Sequence, residues 1–259
     1  MMALPASVVD SFAIPARSRV GRIHSLESLG AVDGPGLRCV IFTQGCLMRC
    51  RYCHNPDTWD LADGKETTVA SLVGELKGYL PFMKASRGGV TVSGGEPLLQ
   101  APFVAGLFAE CHKLGIHTAL DTNGYSTAEN ARPVLEHTDL VLLDIKHMDP
   151  EKHKQLTAVE RQRTLDFARL CSEMQVPMWI RYVVVPGVTD GVADVEALGD
   201  FVAWLPGVQK VELLPYHLLG RHKWEKLGLT YTLDGVEPPS GETMRRITKQ
   251  LSDRGLVVG

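Results

Sequence analysis

The chain has 259 residues, of which 44% are hydrophobic and 22% are charged. A chain of this length and composition buries enough apolar surface for one large core, and single α/β domains often have this size. Its 27 basic and 30 acidic residues give a formal net charge of −3. This charge argues against a polyanionic partner, so we predict no binding to nucleic acid.

We predict no export signal in the N-terminal segment 1–19, because it lacks a basic start followed by a long apolar core. Nowhere in the sequence does an uninterrupted apolar stretch approach the length of about 18 residues that a membrane span needs. We therefore predict a cytoplasmic monomer with no membrane partner. Residues 1–19 are expected to form a flexible extension, and 20–259 a single domain.

Apolar runs rich in Val, Ile and Leu alternate with helical patterns along the chain. The predicted strands are 37–43, 89–93, 117–121, 140–144, 178–185 and 210–215. The predicted helices are 69–81, 102–114, 128–137, 161–174, 192–205 and 241–254. This alternation indicates a parallel sheet, and continuous apolar strands indicate burial on both faces. Because six such units are fewer than the eight of a closed barrel, we predict an α/β fold with a partial, open (β/α)6 barrel.

Three cysteines after the first predicted strand have a spacing typical of iron-sulfur sites. Cys46, Cys50 and Cys53 are separated by three residues and then by two, in the run GCLMRCRYCHN. Structural zinc sites and ordinary electron-transfer clusters need four protein ligands, whereas the other three cysteines are scattered singly. Three thiolates on a [4Fe–4S] cluster leave one iron open to another ligand. On the spacing alone, a structural zinc or an adventitious cluster remains an alternative.

Functional loops of parallel α/β folds lie at the carboxyl ends of the strands, and a glycine motif follows the second predicted strand. In Ser93-Gly94-Gly95-Glu96-Pro97, the two glycines allow close approach of the backbone. A simple tight turn is the alternative interpretation of this motif.

Charged side chains end the next strands. Asp121 and Asp144 are predicted to face the same mouth and to offer oxygen ligands to a hard cation, although each alone also suits a helix N-cap or a turn. Arg181 is an inward charge that would be costly in an apolar strand, so we assign it to cofactor positioning. His217 follows the sixth strand and is predicted to face the cofactor, with a surface or capping role as the alternative.

The cysteine spacing, with aromatic Tyr52 directly before Cys53, resembles the radical S-adenosylmethionine (SAM) superfamily. Longer segments, among them residues 21–60, VTVSGGEPLLQ and WIRYVVVPG, resemble the pyruvate formate-lyase activating enzymes, the glycyl-radical activases of that superfamily. The resemblance covers the chain from Val20 to its C-terminus. It implies a [4Fe–4S] cluster, SAM and a monovalent cation, sodium or potassium, as cofactors.

The activity that this resemblance implies is an oxidoreductase reaction. The enzyme would reductively cleave SAM to a 5′-deoxyadenosyl radical, which abstracts hydrogen from a glycine of pyruvate formate-lyase and leaves a glycyl radical there. The partners would be pyruvate formate-lyase as protein substrate and flavodoxin or ferredoxin as electron donor.

The resemblance also implies roles for individual residues, in three groups. The SAM site would comprise Tyr52, Cys53, His54, Gly94, Gly95, Glu96, Asp144, Ile145, Lys146 and His217, beside Arg181. The cation site would comprise Asp121, Thr122, the carbonyl of Leu142 and Asp144. The stretch Asp33, Gly34, Pro35 and Gly36 would lie near the cluster and the glycine loop of the substrate protein.

Two alternatives stay open. Activases of other glycyl-radical enzymes generally resemble this chain but carry an inserted ferredoxin-like stretch with additional cysteines, and residues 56–68 contain none. Activation of another glycyl-radical enzyme is nevertheless the first alternative. A non-catalytic electron-transfer module is the second, although such a module would need neither the strand-end carboxylates nor the glycine loop.

Overall fold

A single eight-stranded sheet runs through residues 19–259, the part of the chain that this computed structural model describes. Its strands are β1 Val20–Gly30, β2 Arg38–Thr43, β3 Lys65–Thr68, β4 Gly89–Gly94, β5 His117–Thr122, β6 Leu140–Asp144, β7 Met178–Val184 and β8 Val208–Pro215. The order across the sheet is β3-β1-β2-β4-β5-β6-β7-β8. Of the predicted N-terminal extension, residues 1–18 lie outside the described part.

The predicted strands correspond to β2 and β4 to β8, and all six pair in parallel. Within the described residues no pairing joins β8 to β3, so the sheet stays open. The α/β class and the partial barrel with six parallel strands are therefore confirmed. The sequence did not predict β1 and β3, which add an antiparallel edge beside β2.

Nine α-helices cover the sheet within residues 19–259. They are α1 Val69–Leu76, α2 Leu80–Ser86, α3 Ala101–Lys113, α4 Ala128–Leu135, α5 Pro150–Thr157, α6 Gln162–Glu173, α7 Val192–Ala203, α8 Arg221–Lys226 and α9 Gly241–Ser252. Between residues 19 and 259, no helix combines the length and the apolar character that crossing a bilayer requires.

The predicted helix 69–81 is two helices, because a 3-10 turn, Lys77–Tyr79, separates α1 from α2. Pro81 lies in the first turn of α2, where its missing N–H leaves no helical bond unmade. Helix α5 was missed because its sequence, PEKHKQLT, is too polar to show apolar periodicity. Its start signal is nevertheless present, since the Asp149 carboxylate accepts a hydrogen bond of 2.8 Å from Lys152 N.

Burial on both faces holds for the central strands but not for the last two. Along β7, buried residues alternate with the partly exposed Trp179, Arg181 and Val183, which share one face. The prediction of two buried faces is therefore wrong for β7 and β8, because their inner face borders a cavity. The register then aligns Asp144 with Arg181, and Arg181 with Glu212, across three neighbouring strands.

Candidate active site

A cavity of about 720 Å³ lies at the carboxyl ends of the parallel strands. This volume is in the range of small-molecule sites. Most residues of the predicted site line it: Asp33, Cys46, Cys50, Tyr52, Cys53, His54, Gly94, Gly95, Asp121, Thr122, Asp144, Lys146, Arg181 and His217. Others lie outside its lining: Gly34, Pro35, Gly36, Glu96, Leu142 and Ile145.

Residues 44–53, here called the cluster loop, leave β2 and are fixed by backbone hydrogen bonds to distant segments. Gly45 N donates to Thr58 O (2.8 Å), and Arg49 N donates to Thr157 O (2.8 Å). The loop is thus attached at one end to the segment that follows it and at the other to the end of α5. This attachment fixes the backbone on both sides of Cys46, the cysteine that lies between the two bonds.

The thiols of Cys46, Cys50 and Cys53 line the cavity and pack together with Met48. Cys46 and Cys50 are only 7% and 9% exposed. Burial raises the pKa of all three thiols, to about 12 for Cys46. Protonated thiols do not bind iron, so the group acquires its charge only when a metal displaces the protons.

The arrangement of the three thiols suits a cluster better than a single metal ion. Within residues 19–259, no three His, Cys, Asp or Glu side chains are grouped as a single-metal site requires. Sulfurs around one zinc lie roughly 3.8 Å apart, whereas each thiolate of a cubane binds a different iron and the sulfurs lie further apart. The remaining cysteines, Cys39, Cys111 and Cys171, are buried in the main apolar core, so no fourth thiolate is available.

Three side-chain donors that bond to Cys46 or Cys53 were not predicted. Asn123 Nδ2 lies 3.8 Å from Cys46 Sγ and donates to it. Burial raises the pKa of Cys53, and a hydrogen bond from the Trp59 side chain opposes that rise. Trp224 Nε1 donates to the Cys53 carbonyl at 2.8 Å. The spacing of these residues in the sequence does not indicate a role at the cluster. Asn123 is nevertheless placed for one, because it directly follows the end of β5.

The glycine motif after β4 allows close backbone packing, beyond the needs of a simple turn. Gly94 has a φ of +103°, and an added Cβ would lie 2.5 Å from Thr43 N. At Gly95 a Cβ would lie 2.2 Å from the Gly45 carbonyl oxygen. Side chains at either position would therefore displace the end of β2 and the start of the cluster loop.

The Glu96 carboxylate is turned away from the cavity and is almost fully buried. It accepts hydrogen bonds from Leu98 N (2.9 Å), Thr122 Oγ1 (2.6 Å) and Asn123 N (2.9 Å). Burial raises its pKa to about 7, and these donors oppose the rise. Glu96 thus ties the end of β4 to the end of β5, which places Asn123 beside Cys46.

The cavity is also lined by a group of charged residues, the charged wall, which we define as Asp121, Asp144, Lys146, Arg181 and Glu212. Arg181 Nη1 lies 3.2 Å from Asp121 Oδ2, and its Nε lies 3.4 Å from Glu212 Oε2. Lys146 Nζ lies 2.7 Å from Asp144 Oδ2. Glu212 was not predicted, although it interrupts an apolar strand as Arg181 does.

The charges of this wall stabilise one another. Burial opposes the charge of Lys146, but Asp144 raises its pKa well above the ordinary value. Arg181 behaves likewise, since Asp121 and Asp144 outweigh its burial. Burial raises the pKa of Asp121, and Arg181 opposes that rise. The predicted capping alternatives do not apply, because Thr127 and Asp149 cap α4 and α5.

Aromatic rings close the cavity between the two walls. His54 and His217 stack with ring centroids 4.1 Å apart and planes 23° apart. Burial, and then the neighbouring His217, lower the pKa of His54 to about 4, so this ring is neutral near pH 7. Tyr52 is buried beneath Lys146 Nζ, which lies 5.5 Å from its ring centroid. His217 therefore lines the cavity, and its contact with the cofactor stays a prediction.

The turn at 33–36 brings only Asp33 to the cavity. Behind it, the fully buried Arg38 donates from Nη1 to the Pro35 carbonyl (3.0 Å) and from Nε to Thr91 Oγ1 (2.6 Å). Thr91 Oγ1 in turn donates to the Asp33 carbonyl (2.7 Å). Burial raises the pKa of the Asp33 carboxyl to about 6. Arg38, which was not predicted as a site residue, therefore anchors the turn.

The sequence profile of the Radical SAM superfamily matches residues 40–202. The chain is 54% identical over 242 residues to the pyruvate formate-lyase 1-activating enzyme of Escherichia coli (strain K12), covering 92% of this chain and 98% of that protein. It is 50% identical over 244 residues to the pyruvate formate-lyase-activating enzyme of Staphylococcus aureus (strain USA300), with 92% and 97% covered.

A solved domain of a pyruvate-formate lyase-activating enzyme from Bacteroides vulgatus superposes with a TM-score of 0.57 at 30% identity, covering 66% of this chain and 98% of that one. The superfamily match confirms two predicted cofactors, the [4Fe–4S] cluster and SAM. The chain belongs to the radical SAM superfamily and, within it, to the family of pyruvate formate-lyase-activating enzymes.

Proposed function

We propose that this chain activates pyruvate formate-lyase by generating a glycyl radical in it. With both cofactors bound, the site supplies a 5′-deoxyadenosyl radical that takes a hydrogen atom from the α-carbon of one glycine. The observation that carries the proposal is that three thiols, a glycine loop and the charged wall all line one cavity. The names of the Escherichia coli and Staphylococcus aureus relatives support pyruvate formate-lyase as the substrate.

Different side chains of the cavity bind the cluster and SAM. Cys46, Cys50 and Cys53 hold the cluster, and their donor set and the absence of a fourth nearby thiol fit a cluster with one open iron. We assign the SAM site to the lining residues Tyr52, His54, Gly94, Gly95, Asp144, Lys146, Arg181 and His217.

Two residues of the predicted SAM site, Glu96 and Ile145, do not line the cavity and instead support the residues that do. Glu96 holds the ends of β4 and β5 together through its buried carboxylate. Ile145 is buried, and its N–H donates to the Arg181 carbonyl at 3.1 Å. Both therefore position the lining rather than present their side chains to SAM.

We further propose that the pair Asp121 and Asp144 holds a monovalent cation, with Thr122 and the Leu142 carbonyl as additional oxygen ligands. Two findings support this assignment. Asp121 and Leu142 are register partners on β5 and β6. Asp121 Oδ1 is buried and accepts no hydrogen bond from the described residues, so one carboxylate oxygen is available to a cation.

The substrate glycine enters past Asp33 in this proposal. Asp33 lines the cavity, and its neighbour Val32 is 75% exposed at the same place. A peptide segment that leaves its parent protein and lies across this mouth reaches the cavity without unfolding the activase. Flavodoxin or ferredoxin supplies the electron, and the chain acts as a cytoplasmic monomer whose residues 20–259 form one domain.

The test is the fate of the glycine hydrogen. The anaerobically reconstituted protein is mixed with SAM, a reductant and a peptide that carries the glycyl-radical loop with deuterium on the glycine α-carbon. We expect deuterium in 5′-deoxyadenosine and a glycyl radical signal by electron paramagnetic resonance with intact pyruvate formate-lyase. Asp33→Ala should reduce peptide activation more than it reduces uncoupled SAM cleavage, whereas the surface change Asp166→Ala should alter neither.

The same assay separates the alternatives. Transfer of label from a small molecule but never from the peptide or from pyruvate formate-lyase would refute the activase proposal. A higher kcat/KM with another glycyl-radical enzyme would replace the substrate assignment. SAM that binds without any cleavage would favour a non-catalytic module.

A further inference from the structure

The cluster loop has a second face, turned away from the cavity. Along residues 46–50 burial alternates, with Cys46, Met48 and Cys50 buried and Leu47 and Arg49 exposed. The inward residues form the packed thiol group. The wall between the thiols and solvent is therefore one residue thick at this place.

Arginines lie over this thin wall and stack on the aromatic rings that touch the thiol group. Arg49 Cζ lies 4.9 Å from the ring centroid of Trp59, and Arg163 Cζ lies 4.9 Å from that of Tyr125. Trp59 and Tyr125 both pack against the thiol group. The main chain of Arg51, on the same loop, donates to the Leu156 carbonyl at the end of α5 (3.0 Å).

The positive charge of this face is not cancelled locally. In the part of the chain from residue 19 onwards, Arg49, Arg51, Arg161 and Arg163 form no ion pair. Carboxylates near Arg161 and Arg163 in sequence are paired with other cations: Glu160 with Lys154 (2.8 Å) and Asp166 with Arg169 (2.7 Å). Asp194, which lines a small pocket together with Arg51, is paired with Lys152 (2.7 Å). The arginines thus form a basic patch, which we define as Arg49, Arg51, Arg161 and Arg163.

We propose that the basic patch is the docking surface of an acidic electron-carrier protein and that the electron enters the cluster through the thin wall beneath it. The opposite side of the cluster faces the cavity, where SAM and the substrate glycine must lie together, so a donor docked there would block the reaction. A positive patch attracts an acidic carrier and accelerates its encounter. One electron passes from the carrier to the oxidised cluster, and no bond is made or broken. The proposal rests on the cluster site proposed above.

The test compares a protein reductant with a small one. The double variant Arg51→Glu/Arg163→Glu cancels the net positive charge of the patch. Neither side chain bonds to a cysteine carbonyl, since that of Arg51 donates to Thr232, whereas Arg49 Nη1 donates to the Cys46 carbonyl (2.7 Å). The matched control is Lys77→Glu/Arg245→Glu, two exposed cations on the outer helices with the same change in net charge. Stopped-flow absorbance follows cluster reduction by fully reduced flavodoxin and, separately, by photoreduced 5-deazaflavin.

We expect the flavodoxin rate constant of the patch variant to fall about tenfold or more at low ionic strength. The deficit should shrink as salt screens the charges. The control variant should stay within about twofold of the wild type, since its charges lie away from the docking path. The 5-deazaflavin rate should be the same in all proteins, and the single neutral change Arg163→Gln should give an intermediate flavodoxin rate.

Three outcomes would overturn the proposal. Wild-type flavodoxin rates in the patch variant would show that the donor docks elsewhere. An equal loss with 5-deazaflavin would mean that the arginines act on the cluster itself. Normal reduction combined with impaired activation of pyruvate formate-lyase would assign the face to the substrate protein. If even the wild type takes no electron from 5-deazaflavin, the cluster site fails, and the docking proposal fails with it.

Discussion

The two walls of the cavity are organised in opposite ways. The cluster loop is fixed by backbone hydrogen bonds, but its three thiols form no ion pair, and burial raises their pKa values although Lys146 opposes that rise. The charged wall carries its own counter-ions, with Arg181 between two carboxylates and Lys146 on Asp144. The thiol side therefore depends on bound iron for its charge, whereas the charged wall is preorganised by the protein alone.

Loss of one thiol should have the largest effect, because nothing in the protein replaces it. Cys50→Ala removes one of only three iron ligands, so we expect a protein that folds but retains almost no cluster. Iron and sulfide analysis after anaerobic reconstitution measures this directly. Cys171→Ala is the control, since Cys171 is a fully buried core residue away from the site. Full cluster content in Cys50→Ala would refute the ligand assignment.

Loss of one charge should instead destabilise the fold. Arg181→Met leaves Asp121 and Glu212, whose side chains are 13% and 17% exposed, without their shared cation. We expect a loss of about 2–3 kcal/mol, because Ser93 Oγ still donates to Asp121 (2.6 Å) and Lys210 still pairs with Glu212 (2.7 Å).

Anaerobic urea unfolding measures this loss of stability. The exposed pair of Arg169 with Asp166 provides the control, and Arg169→Met should change stability by less than about 0.5 kcal/mol. Equal effects of the two methionine variants would contradict a preorganised wall.

The difference between the walls also explains what the sequence could predict. The cysteines share one short loop, so their spacing alone identified the thiol side. Glu212 and Asn123 act on residues of other strands or loops, so their roles depend on the register and on loop contacts. Asp121 and Arg181 were predicted as site residues because each is a charged residue within or at the end of an apolar strand. Glu212 also interrupts such a strand, so the sequence carried the same indication for it.

The fold, like the site, has parts that the sequence predicted and parts that it did not. Each of the six parallel strands contains buried apolar residues and was predicted nearly to its ends, because a buried strand face requires such residues. Strand β3, KETT, lies at the edge of the sheet and is mostly exposed, so it carries no apolar signal. The resemblance placed Glu96 at the SAM site, but only the structure shows its carboxylate bonded to Thr122 and Asn123.

Asp33 differs from the residues of the charged wall, because it lies beside Asp121 and Arg181 yet makes no ion pair within residues 19–259. Burial raises its pKa from 3.8 to about 6. Between these two pH values the folded protein keeps a proton on Asp33 that the unfolded chain has released. The free energy of unfolding therefore decreases as the pH rises through this range.

The variant Asp33→Asn removes this titration. We expect its stability relative to the wild type to increase between pH 4 and pH 6 and to level off above that range, as measured by urea unfolding at a series of pH values. Asp166→Asn, at an exposed site, serves as control. A difference between wild type and Asp33→Asn that does not vary with pH would contradict the raised pKa.

The smallest predicted effect concerns Asn123, whose side-chain amide donates to the thiol of Cys46. A hydrogen bond to a cluster sulfur favours the more negative, reduced state and raises the reduction potential. Asn123→Ser removes the Nδ2 donor of Cys46 but keeps an oxygen that can accept from Tyr125 N, as Asn123 Oδ1 does at 2.9 Å.

A bond of about 1 kcal/mol corresponds to roughly 40 mV for a one-electron couple, so the potential of Asn123→Ser should fall by up to that amount. An anaerobic redox titration followed by electron paramagnetic resonance measures the shift, with the exposed Asn130→Ser as control. An unchanged potential in Asn123→Ser would mean that the Asn123 amide does not act on the cluster electronically. Burial, bound iron and the charge of Lys146 would then set the properties of the thiols without a contribution from this amide.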